Sequence, residues 1–113
     1  KPGIYSARLA KKHGSFFKAM KFILKKMKNK KNRKATFVCS LSYKKNNGKI
    51  VSAEGRLKGK ISNKIIGKMG FGYDPIFIPL KKKKTFGQML KSKKIKMDHR
   101  FIAFQKLKKK TKI

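Results

Sequence analysis

Glycines at 67, 70 and 72 punctuate the stretch Gly67–Pro79, GKMGFGYDPIFIP, and Phe71, Tyr73 and Asp74 stand between and after them. Glycine lets a backbone approach a ligand closely, and the two aromatics offer flat faces. Such a loop can hold a planar ring beside a polyanion. A glycine-rich connection into the apolar, strand-like Ile76–Ile78 produces the same pattern with no ligand at all. A second group is Asp98-His99-Arg100, which sets a guanidinium, a donor only, beside an imidazole that donates or accepts. These three also read as an ordinary helix start, with Asp98 accepting backbone N–H groups. Glu54, Asp74 and Asp98 are the only acids, and they fall in different segments, so they form no metal cluster. His13 reads as an exposed loop residue without acid or cysteine partners for a metal. Cys39 reads as a small apolar residue within a strand rather than a nucleophile.

The elements that must position these groups are legible from periodicity. Ser15 is an N-cap candidate for a helix over Phe16–Lys28. There Phe16, Phe17, Met20, Ile23, Leu24 and Met27 share one face and lysines fill the other, the pattern of a surface helix packed on a sheet. After the polar break Asn29–Lys34, Ala35–Tyr43 alternates with period two and is rich in β-branched and aromatic residues. Asn46-Asn47-Gly48 signals a turn, and Lys49–Ala53 returns as the second strand of a hairpin, continuing through Arg56–Ser62 with Gly55 and Gly59 as bulges or points of close approach. Lys81–Lys84 is a solvated basic loop. Thr85 caps a short helix to Leu90, and Asp98 caps a last helix over Arg100–Lys108 that buries Phe101, Phe104 and Leu107. The tail Lys108–Ile113 frays. The expectation is a mixed α/β (α+β) fold, a β-hairpin-containing mixed sheet flanked by helices.

Composition bounds the partners. The chain has 113 residues, enough for one compact domain, and 35 Lys+Arg against 3 Asp+Glu, a formal charge of +32. A nucleic-acid binder is the first implication, since phosphates reward clustered cations through counterion release. Against it, only Arg8, Arg33, Arg56 and Arg100 are arginines, the residues suited to bidentate recognition, and the lysines are spread over almost every segment. Self-repulsion weakens the compact state, so stability is expected to depend on salt, with non-specific RNA binding in vitro. The single Cys39 excludes an intrachain disulfide and fits a reducing compartment. No apolar run is long enough to span a membrane, and KPGIYSARLAKK lacks an apolar signal-peptide core. A cytoplasmic protein with no membrane partner is the expectation, and the opening Lys-Pro-Gly reads as the middle of a longer chain.

Taken in order, PGIYSAR (Pro2–Arg8), TFVCSL (Thr36–Leu41), EGRLKGKI (Glu54–Ile61), GFGYDPIF (Gly70–Phe77), TFGQM (Thr85–Met89) and DHR (Asp98–Arg100) resemble the motifs of the inosine/xanthosine triphosphate pyrophosphatase family. The resemblance implies that residues 1–113 are the C-terminal portion of one such domain, lacking the family's N-terminal strands. It further implies hydrolysis of ITP, dITP or XTP to the monophosphate and pyrophosphate, Mg²⁺ as cofactor, and a homodimer. The catalytic and metal-binding residues would precede Lys1, which leaves base recognition to this chain. Phe71, Gly72, Tyr73 and Asp74 would form the substrate loop, Phe71 or Tyr73 stacking on the purine, with Lys94 as a phosphate or base contact and His99 and Arg100 reading the base. Arg8 would be structural or lie at the cleft edge. Gln88 and Lys93 stand where the family pattern is acidic, which suggests that the lysine excess is mutational drift; lysine codons one purine transition from glutamate codons are its expected trace. The alternatives are a small basic RNA- or ribosome-associated module and a non-catalytic remnant of the enzyme.

Overall fold

The computed structural model describes residues 6–111. Pro2–Tyr5 of the first motif and the last two residues of the expected tail lie outside them. Two helices open the chain, α1 (Ser6–His13) and α2 (Phe16–Met27). The hairpin strands β1 (Lys34–Lys44) and β2 (Ile50–Ile61) follow, and β3 (Phe77–Pro79) adds a short third strand. All pair antiparallel in the order β1-β2-β3. The four-residue helix α3 (Lys91–Lys94) and the closing helix α4 (His99–Thr111) complete the chain.

α2 begins where a hydroxyl can satisfy an orphan amide: Ser15 Oγ accepts the Lys18 N–H at 3.1 Å. It buries Ala19 and Met20, whereas Phe16 and Phe17 stay exposed, so the apolar stripe expected from periodicity is only partly covered. α1 has no counterpart among the sequence expectations. It places Ala10 in a core cluster with Ala19, Met20, Tyr73 and Ile76. His13 is the last residue of α1 rather than a loop residue, and its ring lies 4.5 Å from that of Phe22.

The hairpin turns at Asn46-Asn47-Gly48, where Gly48 takes φ 87° and its N–H reaches the Lys45 carbonyl at 2.9 Å. Its register runs without interruption from Lys34↔Lys60 to Lys44↔Ile50, so Gly55 and Gly59 are not bulges. They mark close approach. A Cβ on Gly55 would overlap the His99 carbonyl and the Ala103 backbone of α4; one on Gly59 would overlap Ile78 and the Phe77 ring.

A second cluster, Phe77, Phe86 and Met89, meets the first through Phe37 of β1, whose ring stacks on Phe77 at 3.9 Å. α4 buries Ala103 and Leu107, while Phe104, expected inside, is exposed, because the closest helix–sheet contact is made by small residues and backbone. The helix continues through Lys108–Thr111 where fraying was expected, and Lys110 Nζ donates to the Ser52 carbonyl of β2 at 2.7 Å. Arg33, in the polar break after α2, donates to the carbonyls of Met27, Ile61 and Ser62 at 2.7, 2.9 and 2.6 Å and so pins the end of α2 to the end of β2. No helix among the described residues is long and apolar enough to cross a membrane.

Candidate functional site

The loop from Gly67 to Asp74 is built by short-range bonds and held from outside by a second loop. Asp74 starts a 3-10 turn (Asp74–Ile76) with Pro75 in its first turn. Its N–H donates to the Phe71 carbonyl at 3.2 Å, and its Oδ2 accepts the Phe71 N–H at 3.0 Å. Gly70 takes φ 73° directly against that carboxylate, where a Cβ would overlap Asp74 Oδ2, so the position suits glycine for both conformation and space.

The outer support is a second 3-10 turn, Phe86–Gln88, shorter than the helix to Leu90 expected from sequence. The buried Thr85 donates its hydroxyl to the Ile66 carbonyl at 2.6 Å, the Met69 N–H donates to the Gly87 carbonyl at 2.8 Å, and Gln88 Oε1 accepts the Thr85 N–H at 3.0 Å. Sequence reasoning gave Thr85 a cap and missed this buttress; the hydroxyl's partner is a distant carbonyl that no local pattern reveals.

On this frame the residues expected in the site separate into three groups. Phe71 projects its ring outward, 57% exposed, and the Arg100 guanidinium lies 4.1 Å from the ring centroid. Cation and π-face at this distance attract. Gly72 adjoins them with φ 61°. Tyr73 is buried instead: its ring meets Phe16 edge-on at 5.2 Å, so of the two aromatics Phe71 is the exposed one. Burial pushes the Tyr73 hydroxyl pKa up.

Asp74 and Lys94 form the interior of the site. Lys94, the last residue of α3, is 4% exposed, and its Nζ lies 2.6 Å from Asp74 Oδ2 and 4.2 Å from the Phe71 ring centroid. His99 and Arg100 begin α4, where Asp98 Oδ1 accepts the Phe101 N–H at 2.9 Å, the cap expected from sequence. The His99 ring is half-buried, 4.9 Å from that of Phe37, and its buried Nδ1 has no hydrogen-bond partner. Burial holds its pKa below the ordinary 6.5; Arg100 and Lys94 push the same way, and Asp98 and Asp74 oppose them. At neutral pH the imidazole is therefore uncharged, with one donor and one acceptor nitrogen.

The acids leave no metal site. Glu54 pairs with Arg56, Asp74 with Lys94, and Asp98 caps α4. Among the described residues no three of His, Cys, Asp or Glu gather as metal ligands, so the residues present do not fit Mg²⁺. Two open basic concavities, one lined by Lys21, Lys25, Lys28 and Arg33 and the other by Lys82, Lys83, Lys84 and Lys93, include neither Phe71 nor Arg100. Arg8 is an exposed residue of α1.

Comparison with known proteins gives a consistent result. A family model described as the Ham1 family matches residues 1–110. A dITP/XTP pyrophosphatase of Clostridium perfringens is 42% identical over 109 residues, covering 95% of this chain and 53% of its own. One from Borreliella burgdorferi is 47% identical over 115 residues, covering 96% of this chain and 56% of its own. Among solved structures, the Staphylococcus aureus Ham1 protein superposes with a TM-score of 0.88 at 36% identity, over 99% of this chain and 58% of that one. The chain thus spans about half the length of the curated relatives it matches.

Proposed function

Since the chain belongs to the Ham1 family, we propose that it supplies the base-recognition half of an enzyme that hydrolyses non-standard purine nucleoside triphosphates such as ITP, dITP and XTP to the monophosphate and pyrophosphate. The observation that carries this reading is the contact of Phe71 with Arg100, which puts a flat apolar face and a fork of donors at one exposed spot. Stacking on an aromatic contributes about 1–3 kcal/mol per base and is blind to base identity. Discrimination therefore falls to the donors. Hypoxanthine and xanthine present an O6 acceptor where adenine presents an N6 donor, and a guanidinium has donors only. Arg100 completes its hydrogen bonds with the first two and faces adenine's amino group as a like partner. The uncharged His99 beside it adds a donor or acceptor without repelling Arg100, which a protonated imidazole would do.

Hydrolysis needs more than these residues. Mg²⁺, part of this reading by family, has no ligand set among the described residues, and with all three acids engaged we assign no step of bond cleavage to this chain. Homodimer formation and a cytoplasmic location belong to the same reading. The second reading, RNA binding, is favoured by one feature: each of the three acids is committed to a contact within the chain, Asp74 to Lys94 among them, so the excess of surface lysines is left uncompensated.

Titration with inosine and adenosine nucleotides tests the choice. Inosine nucleotides are expected to bind more tightly, and Arg100→Ala to remove that preference while retaining stacking. A preference untouched by Arg100→Ala overturns the reading. Binding of RNA with a steep salt slope and no inosine preference establishes the alternative.

A further inference from the structure

The C-terminal half of α2, the loop after it and a residue just beyond β2 border an open concavity of about 570 Å³, a size typical of small-molecule sites. Lys21, Lys25 and Lys28 line one side, spaced i, i+4 and i+7 and so on one helix face. Asn29, Arg33 and Asn63 line the rest, and no acid is among the lining residues. Cations suit the end of a helix, which accounts for Lys25 and Lys26 in the last turn of α2. It does not account for Lys21 a turn earlier, or for Arg33 and Asn63 brought in from other segments. Like charges at i, i+4 oppose the helix, so the cluster carries a repulsion that a multivalent anion removes.

Arg33 sets this concavity apart from the one lined by Lys82, Lys83, Lys84 and Lys93, whose cations are lysines alone. Its Nε, Nη1 and Nη2 donate to the carbonyls of Ile61, Met27 and Ser62, so the guanidinium is fixed before any ligand arrives. Three of its five N–H groups are thereby committed, which leaves one on Nη1 and one on Nη2 for an anion. A cation already ordered loses little side-chain entropy on binding. The lining also selects the ligand. It has no aromatic ring and a single apolar side chain, Leu24, so a base finds no stacking face. Lys21 and Lys28 stand about 10 Å apart along the helix axis, farther than one phosphate group spans but within reach of a short chain of them. Phe16, which meets Tyr73, begins α2, so the base site adjoins the opposite end of the helix.

We propose that this concavity is a second anion site, which binds a short polyphosphate chain on the fixed Arg33 guanidinium with Lys21, Lys25 and Lys28 around it. It goes beyond the base-recognition reading and does not depend on it.

Inorganic tripolyphosphate, pyrophosphate and orthophosphate, titrated into the full chain at about 0.15 M salt so that remote charges are screened, test the site. In NMR the Arg33 Nε–H resonance is expected to shift saturably, with affinity rising from orthophosphate to tripolyphosphate. A resonance that does not move overturns the proposal. Two variants that remove equal charge locate the binding: Lys21→Gln/Lys25→Gln/Lys28→Gln and Lys82→Gln/Lys83→Gln/Lys84→Gln. All six lysines are exposed, so neither variant disturbs the core. The first is expected to weaken tripolyphosphate by about tenfold or more and the second by less than about threefold. Equal losses make the effect one of overall charge and refute the site. A short single-stranded RNA that saturates the same resonance more tightly than tripolyphosphate, and loses affinity with the α2 variant, would assign the groove to a nucleic-acid backbone and refute it too. Inosine has no phosphate and reports the base site alone, so it should bind the α2 variant and the wild type equally. Inosine affinity lost with those three lysines would merge the concavity with the base site and overturn the proposal. If inosine binds neither chain, base recognition fails, and the polyphosphate titrations decide the concavity by themselves.

Discussion

Two acid–cation pairs among the described residues are almost equal in length and lie in opposite surroundings. On the open face of β2, Arg56 Nε lies 2.7 Å from Glu54 Oε2, with the two side chains 59% and 45% exposed. In the candidate site, Lys94 Nζ lies 2.6 Å from Asp74 Oδ2, with exposures of 5% and 4%. Distance does not distinguish them; water does. The exposed pair exchanges hydration for a screened attraction and the ordering of two long side chains, which nearly cancel. The buried pair has already lost its hydration, so each charge depends on the other, and the carboxylate also on the Phe71 amide. A short ion pair at the surface says little about architecture, whereas the same geometry inside fixes a loop.

The largest effect that could break this comparison is removal of one buried partner. Lys94→Met is expected to lower stability by about 3–5 kcal/mol in urea titration, and Asp74→Leu/Lys94→Met to recover much of that loss. A penalty no larger than that of Arg56→Ala would erase the distinction. Next is Gly70→Ala, which forces a left-handed residue against the Asp74 carboxylate and should cost about 1–3 kcal/mol by thermal or urea unfolding. Near-wild-type stability there would mean that the carboxylate is not held in place.

Acid sharpens the contrast at His99. Its folded pKa lies below 6.5, so the unfolded chain takes up its proton first. The contribution of the neutral ring is fully present above 6.5 and is lost as pH falls from there through the folded pKa. His99→Gln should flatten that part of the stability–pH curve; a curve unchanged by the substitution contradicts the burial argument. Smallest is Arg56→Ala, at less than about 1 kcal/mol. Added salt should raise the melting temperature of the whole chain by screening its +32 charge while leaving the Lys94→Met penalty nearly constant.

Local patterns carried much of the fold. Ser15 before an apolar stripe, Asn46-Asn47-Gly48 between alternating runs, and Asp98 before α4 each satisfy neighbouring backbone groups, so each was readable from adjacent residues. α1 was not, because its short stretch gains its place by packing Ala10 against α2 rather than by any strong pattern of its own. The exposed Phe17 and Phe104 show the limit of periodicity: it identifies a face but not how closely the neighbouring element approaches it, and here Ala19 and Ala103 take the innermost positions. In the site, the glycine-spaced loop with Phe71 and Tyr73 stood out by type and spacing, and Arg100 through the family resemblance. The pairing of Lys94 with Asp74 did not. Lysines at 91, 93, 94 and 96 look alike in sequence, and only the tertiary fold brings one of them to a carboxylate 20 residues away.

Gly55 carries a consequence for how the site is tuned. With no side chain there, β2 meets the backbone of His99 and Ala103 directly, so the hairpin acts as the gauge from which the first turn of α4 takes its height. A single methyl at that position would lift the helix mouth and carry Arg100 off the Phe71 ring without altering either of those residues. The aim of the guanidinium is thus adjustable from the strand on which the helix rests, through a hydrogen atom.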